Sequence, residues 1–513
     1  MLRHGVFLTP SNLTMGLLPD TMVEDQMSTD SSGIHFLTTG MRTRGEVISR
    51  AALNPPSGNL ITMIPFLGIQ GDFRVILVTD LAIYDYANGN YLDITPEGYE
   101  FDNLLELPWS HDTFGGSLLF SNREAGIFRY QGNEVEYLDE GLSSTIIRSY
   151  GPYAVILGTK EDGFNIGQRV RWSDIGNPKE WWGETSGFVD LVDTPDDIVA
   201  AEPLGNSLVI YKRQSIHMLD FLGGVATFRI SPITTGVGAV SPKAVVNMGD
   251  HHIFMSRENV YMFNGSPNLE PIGDSVKAEL FRDINFLYSK NIYSLYSHLH
   301  ESCFFFVPKG ESEYPGDVWE YKNTTQSWSR HNLGGHNYKS VIVEYDRGMT
   351  IAELEGTILD LEGPIAQLGD PGLDTIGFLS GLEVGDQLNT LFVLDGGNEI
   401  EGSQEESYWV SKEFTMEEEY ITRKKRFLGL EIDYKGAGLI VEYSVDAGDN
   451  WTTSYDLLTA THTEKWHRVK IHFDESGETL KIRFKQKDGK RFEIRWFNIL
   501  WELGGVYEND YST

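Results

Sequence analysis

The stretch HIFMSRENVYMFNGS, residues 252–266, sets two short apolar runs around the polar turn SREN and closes on Asn264-Gly265. Apolar and aromatic runs bounded by turn residues in this way read as a β-hairpin. SLLFSNREAGIFRYQGN from Ser117 follows the same plan, as do RVILVTDLAIYDYANGN from Arg74, SLVIYKRQSIHMLDFLGG from Ser207 and GDVWEYKNTTQSWSR from Gly316. MTIAELEGTILDLEG from Met349 is a weaker copy. Taking the leading apolar residue of each second strand as a marker gives Ile83, Ile127, Val170, Ile216, Val260, Val318 and Ile358, spaced by 44, 43, 46, 44, 58 and 40 residues. A period of roughly 40–45 residues with several short strands per unit predicts a β-propeller, because one such sheet hides both faces only when its neighbours stack on it. The markers predict about seven blades over residues 70–361. Residues 266–300 fall in the one long interval and predict an inserted short helix and loop.

The pattern then changes. Residues 362–407 are rich in Gly, Asp and Leu and read as a linker of connecting loops. Over 408–505, YWVSKEFTM, RFLGLEIDYKG, GLIVEYSVDAG, HRVKIHFDES, TLKIRFKQK and FEIRWFNILWELGG give six strand candidates. Strict alternation such as Lys481-Ile482-Arg483-Phe484-Lys485 puts apolar side chains on one face and charges on the other, which predicts a C-terminal β-sandwich with a solvated outer surface. The fold class expected is therefore all-β: a propeller followed by a sandwich, with a tail at 506–513. Residues 1–69 have no clear period apart from a strand at Leu60–Leu67. They read as an arm that closes the ring or reaches a neighbouring subunit, or as a frayed end.

Among 513 residues, 41 Lys and Arg face 75 Asp and Glu, for a formal charge of −34. That balance argues against wrapping nucleic acid with a phosphate-neutralising surface. The charge is uneven: 408–505 hold 16 bases and 17 acids, whereas 1–407 hold 25 bases and 56 acids. Acidity on this scale gives ordinary solubility, or alternatively a wall past which DNA slides without adhering, with repulsion fading beyond about 8–10 Å. The single cysteine, Cys303, excludes an intramolecular disulfide framework. No apolar run approaches a membrane span, and the opening MLRHGVFLTP does not read as a signal peptide.

Ser444, Asp446, Gly448 and Trp451 fit Ser-x-Asp-x-Gly-x-x-Trp. They resemble the Asp-box hairpin of sialidases and related propellers. Physically this is a folding device: the carboxylate bonds turn amides, the glycine supplies positive φ, and the indole packs over the hairpin. RWSDIGNPKEWW, Arg171–Trp182, combines an Asn-Pro turn with three tryptophans and reads as an aromatic clamp at a blade edge, or else as a surface for sugar or a partner loop. His298-x-His300-x-x-Cys303 offers metal-type ligands at alternate strand positions but no fourth ligand, and is read as packing. His251-His252 beside Asp250 carries less still. Carboxylate pairs such as Asp196-Asp197 and Glu417-Glu418-Glu419 carry little catalytic information in so acidic a chain, and no phosphate loop, HExxH or GxSxG occurs. The basic run Arg423-Lys424-Lys425-Arg426 reads as a solvated or interface strand. Neither an enzyme, nor a cofactor, nor a metal is expected.

Trp172-Ser173-Asp174, Gly176, Pro178 and Trp181 form the pattern WSD-x-G-x-P-x-x-W. It is followed by Gly238, Ser241, Pro242 and Val245 as G-x-x-S-P-x-x-V, and by a strand ending in Phe263-Asn264-Gly265. This succession resembles the packaged-DNA stabilisation proteins of short-tailed phages, also called tail hub or nozzle proteins, most clearly over 150–265. The resemblance implies a virion structural protein: a propeller subunit in a ring of six below the portal and adaptor proteins. Such a ring extends the DNA channel, retains the genome without binding it specifically, and anchors fibres, spikes or a plug. It would be assembled in the host cytoplasm and located in the virion tail, with no membrane span. The C-terminal sandwich has no counterpart in that pattern. The alternatives are a propeller-type glycan-binding adaptor, or a sialidase-like glycan-active enzyme, for which an arginine cluster and several boxes across the propeller would be needed.

Overall fold

The structure is a computed structural model describing all residues except 1, 9–10, 16–23, 69–72, 88–89, 102–107, 225, 333–337, 346–373, 381–389, 398–406, 417–422, 458–464 and 505–513. The hairpins from Arg74, Ser117, Ser207 and His252 become the two middle strands of four-stranded antiparallel sheets, whereas the one from Gly316 supplies the third and fourth strands of its sheet. The first blade runs Leu60–Leu67, Phe73–Thr79, Ile83–Ala87 and Asn90–Asp93 in simple meander order. Five further meanders open with Ser110–Phe114, Leu142–Tyr150, Ile198–Leu204, Val245–Asn247 and Tyr293–Ser297. The markers Ile83, Ile127, Val170, Ile216, Val260 and Val318 all fall in the third strand of their sheets, and all are 0% exposed. From the second blade to the seventh the opening strands of successive blades lie beside one another, that of the seventh lies beside Leu60–Leu67, and the first and second blades share a core layer, so the ring is closed.

The core consists of layers shared by adjacent blades. Ile64 and Ile76 meet Trp109 and Phe120 between the first and second blades. Ile146 and Val155 meet Ala201 and Ile210 between the third and fourth, and Tyr211 meets Phe254 between the fourth and fifth. Burying one such aliphatic side chain is worth about 1.5–3 kcal/mol, so no blade is stable without its neighbours.

The seventh blade corrects the expected boundaries. Its strands are Tyr338–Tyr345, Asp374–Ser380 and Thr390–Gly397, and its outer strand is Glu46–Ala52, paired antiparallel from Thr390↔Ala52 to Gly397↔Glu46. The third-strand place expected for Ile358 is held by Thr390–Gly397; Ile358 and the copy from Met349 lie outside the described residues. Residues 362–407 are thus not only a linker, and the propeller extends beyond 70–361 at both sides. It takes Leu60–Leu67 as its first strand and closes with a segment from far upstream, which local periodicity cannot reveal.

The sandwich also draws on the arm. One sheet runs Ile34–Leu37, Gly40–Thr43, Phe492–Leu503, Lys425–Gly436 and His467–Gly477, with Leu2–Phe7 added along Phe492–Leu503. The other runs Ser28–Ser32, Tyr408–Ser411, Lys481–Gln486, Leu439–Ser444 and Thr452–Leu457. The six expected strands are present with one more, but four strands before residue 44 complete both sheets, so 408–505 is not a self-contained unit. Gly33 (φ +67°) turns the chain from one sheet to the other, and a Cβ there would sit 2.4 Å from Ser407 Oγ. Of the run Arg423–Arg426, expected to be a solvated or interface strand, Arg423, Lys424 and Arg426 are exposed, the last pairing with Asp474 and Glu502, whereas Lys425 is 0% exposed and donates to the Glu478 carbonyl at 2.7 Å.

Propeller and sandwich share one core. Phe305, Trp319, Tyr321 and Trp328 of the sixth blade join Phe36, Trp409, Phe484 and Phe497 of the sandwich in a single buried cluster. The outer strand Ser327–Asn332 is covered by the arm: the amides of Leu13 and Gly33 donate to the carbonyls of Trp328 and Arg330 at 3.2 and 2.8 Å. The long interval holds a short helix, Lys277–Leu280, and a 3-10 turn, Phe286–Asn291. No helix among the described residues is long and apolar enough to cross a membrane.

Candidate functional site

The opening strands of six blades converge on a cavity of about 480 Å³. Phe66, Phe73, Trp109 and Ile146 give it an apolar wall, and His111, Asp112, Arg148, Glu202, Lys243 and Tyr293 supply polar groups. Arg148 is a cross-brace. Its guanidinium pairs with Glu202 of the next blade and donates to the Ala201 carbonyl at 2.7 Å and to Ser110 Oγ of the preceding blade at 2.9 Å. Asp112 is also occupied: Oδ2 accepts from the Ser149 amide at 2.8 Å and Oδ1 from the Thr113 amide at 2.7 Å. Lys243 differs. Its ammonium lies 5.2 Å from the centroid of the Tyr293 ring, and among the described residues it forms no ion pair.

Crowding sets the protonation states. Burial, reinforced by the charges of Lys243 and Arg148, pushes His111 down to about 3, so its ring is neutral. Burial and the neighbouring Arg148 charge bring Lys243 down to about 8. Burial raises the Glu202 carboxyl, against the pull of Arg148.

The WSD-x-G-x-P-x-x-W residues lie elsewhere, at the outer edge of the third blade. Ser173 donates its amide to the Ala154 carbonyl (2.9 Å) and accepts the Ala154 amide on Oγ (3.1 Å). Asp174 accepts the Thr185 amide at 2.9 Å, Gly176 (φ +68°) donates to the Pro152 carbonyl, and Pro178 is buried in the turn. The Trp172 indole donates to the Thr185 carbonyl at 3.0 Å. Trp181, 0% exposed, is wedged among Leu119 and Ile127 of the second blade and Leu142 and Ile156 of the third. Trp182 is exposed, with Arg171 stacked 4.1 Å from its ring.

The G-x-x-S-P-x-x-V residues do reach the axial cavity: Pro242 and Val245 line it. Ser241 donates to the Ile292 carbonyl at 2.8 Å, and a Cβ on Gly238 would sit 2.0 Å from the Lys212 carbonyl oxygen. In the sandwich, Ser444 Oγ accepts the Gly448 amide at 2.9 Å, and Asp446 accepts the Asn450 amide at 3.0 Å and its side-chain amide at 2.7 Å. These bonds, led by that from Ser444, bring Asp446 down to about 2. Gly448 takes φ +100°, and Trp451 stacks under Arg483 at 4.3 Å. The two motif groups are not brought together. Lys243, Arg148 and His111 were not singled out by sequence, although Lys243 lies inside the quoted Gly238–Val245 segment.

The His298/His300/Cys303 expectation needs correction in its geometry. His298 and His300 lie in the turn before Ser302–Val307, not at alternate strand positions, and Cys303 is buried against Met248. His300 instead stacks on His35 of the sandwich. His35 Nδ1 and His331 Nε2 both lie 2.8 Å from Glu320 Oε2, and all three side chains are buried. Their ligand atoms lie within 4.8 Å of one another, close enough to meet at one metal ion. As placed, with both imidazoles donating to the carboxylate, the group is a hydrogen-bonded bridge between sandwich and sixth blade.

The strand order defines the class: a seven-bladed β-propeller carrying a two-sheet sandwich. No protein-family profile matches the chain, and no curated protein matches it. Among solved structures, YCF48 of Cyanidioschyzon merolae aligns at 9% identity and a TM-score of 0.39, over 67% of this chain and 98% of that one. PorZ, an essential surface component of the type-IX secretion system of Porphyromonas gingivalis, aligns at 11% and 0.35, over 80% of this chain. This chain spans 46% of the length of PorZ. An exo-β-1,3-galactanase of Phanerochaete chrysosporium aligns at 10% and 0.26, over 89% of this chain and 100% of that one. At such scores the likenesses carry nothing about activity, and the propeller stands on its own strand order.

Proposed function

We propose that this chain is a structural subunit of the tail hub, or nozzle, of a short-tailed phage. In this reading it is assembled in the host cytoplasm into a ring of six below the portal and adaptor, extends the DNA channel, and gives fibres, spikes or a plug a place to attach. The observation that carries the reading is the stitching of the two domains. The chain starts in the sandwich, crosses to close the seventh blade with Glu46–Ala52, circles the propeller, and returns to complete both sandwich sheets. Two bodies sharing a core and joined in this way resist hinge motion, which suits a part that holds pressure and transmits load.

The motif residues support a mechanical role. Trp181 bolts the second blade to the third, Gly238 permits close contact with the Lys212 carbonyl, and Ser241 ties the chain entering the fifth blade to Ile292. The −31 charge of residues 1–407 favours a channel wall past which DNA moves without adhering. The test is made on purified particles lacking this protein. The expected result is empty or leaking heads; particles that keep their DNA and infect normally would end the hub reading.

A further inference from the structure

We propose that the axial cavity of the propeller binds a small organic anion, one carboxylate or phosphate group on an aromatic body, with Lys243 as its anchor. The charges of the cavity wall are unequally spent. Arg148 is consumed by Glu202, by Ser110 Oγ and by backbone carbonyls, and both oxygens of Asp112 are taken by backbone amides. Of the two basic side chains lining the cavity, Arg148 and Lys243, Lys243 is the one with no carboxylate partner among the described residues, in a site crowded enough to lower its basicity. A half-buried ammonium with no carboxylate beside it is stabilised when an anion meets it, and the anion here is free to come from outside.

The surroundings specify the rest of the ligand. Leu67, which is exposed, and the half-buried ring of Phe73 line the same cavity and give a ligand apolar and aromatic surface to pack on, which suits an aromatic body. His111, neutral at physiological pH, offers a ring N–H to a second ligand oxygen without adding charge. A volume of about 480 Å³ fits a molecule of drug-like size and excludes a folded partner. The inference is independent of the hub assignment, since a mechanical subunit and an isolated propeller would both retain the site.

The test uses the full chain with three probes, phenylacetate, phenyl phosphate and neutral benzyl alcohol, followed by calorimetry at millimolar concentration. At least one anionic probe is expected to bind once per chain, benzyl alcohol far more weakly, and the better anion identifies the headgroup. Lys243→Met should weaken that binding roughly tenfold to hundredfold, the worth of a charge-assisted contact. Lys179→Met, at an exposed surface pair, should leave it unchanged. Differential acetylation of the wild-type chain, read by mass spectrometry, avoids any folding defect of the variant: the bound anion should protect Lys243. Absence of binding by both anions, or binding that neither Lys243→Met weakens nor acetylation maps to Lys243, overturns the proposal.

Discussion

Replacing Glu320 by alanine tests whether the buried imidazole–carboxylate–imidazole bridge fastens the sandwich to the propeller. Glu320 Oε2 accepts from His35 Nδ1 and His331 Nε2, each at 2.8 Å, and the three side chains are 3%, 4% and 0% exposed. Truncation strands two buried N–H donors, each costing about 1–3 kcal/mol, so the expected loss is about 2–6 kcal/mol. Glu320→Gln keeps one acceptor oxygen and should lose only the charge-assisted part, about 1–2 kcal/mol. If the sandwich melts as its own unit, each kcal/mol moves its midpoint by about 2–4 °C, so calorimetry should separate wild type, glutamine and alanine in that order. Hydrogen exchange should rise in Ile34–Leu37 and Ser327–Asn332 and stay unchanged in the second and third blades. An alanine variant that melts within about 1 °C of wild type, with the same exchange in those strands, would refute the bridge.

Three further outcomes are expected. Burial holds His331 below its usual value, and although burial alone would raise Glu320, its two imidazole partners keep it well below the usual carboxylate range. Both groups are depressed, so their stabilisation is complete above about 6.5, declines as pH falls below the ordinary imidazole value, and falls further below the ordinary carboxylate value near 4.5; a melting series from pH 8 to 4 should show the junction loosening first. Gly429→Ala should cost about 3 kcal/mol or more in a thermal shift, because the bulge there takes φ +146° and a Cβ would sit 2.0 Å from the Ile471 carbonyl oxygen. Deleting Glu46–Ala52 should expose the seventh blade to protease while leaving the third blade protected, and equal resistance would show that the ring closes without that strand.

Much of the propeller was legible because each blade repeats a local event. Ile83, Ile127, Val170, Ile216, Val260 and Val318 recur at nearly constant spacing since each fills the same buried place in the third strand. The seventh blade escaped because its third and outer strands, Thr390–Gly397 and Glu46–Ala52, come from distant segments with no common rhythm. The sandwich was half visible. Lys481–Gln486 announces itself by alternation, but Ser28–Ser32 is polar and lies in a strand only because Tyr408–Ser411 pairs with it. The Ser444–Trp451 hairpin was readable because its bonds stay within a few residues. The axial cavity was not, since His111, Arg148, Glu202 and Lys243 meet only when inner strands dozens of residues apart turn toward one axis.

Closure by early segments has a consequence for biosynthesis. Leu2 pairs with Trp501 and Ala52 with Thr390, so Leu2–Phe7 and Glu46–Ala52 have no partners until hundreds of residues more have left the ribosome, although Ile34–Leu37 can pair at once with Gly40–Thr43. At about 5–20 residues per second those waits last roughly 20–100 s, during which the unpaired edges are open to wrong neighbours. Yield in a foreign host should therefore depend on translation speed and chaperone supply more than on the strength of the finished fold.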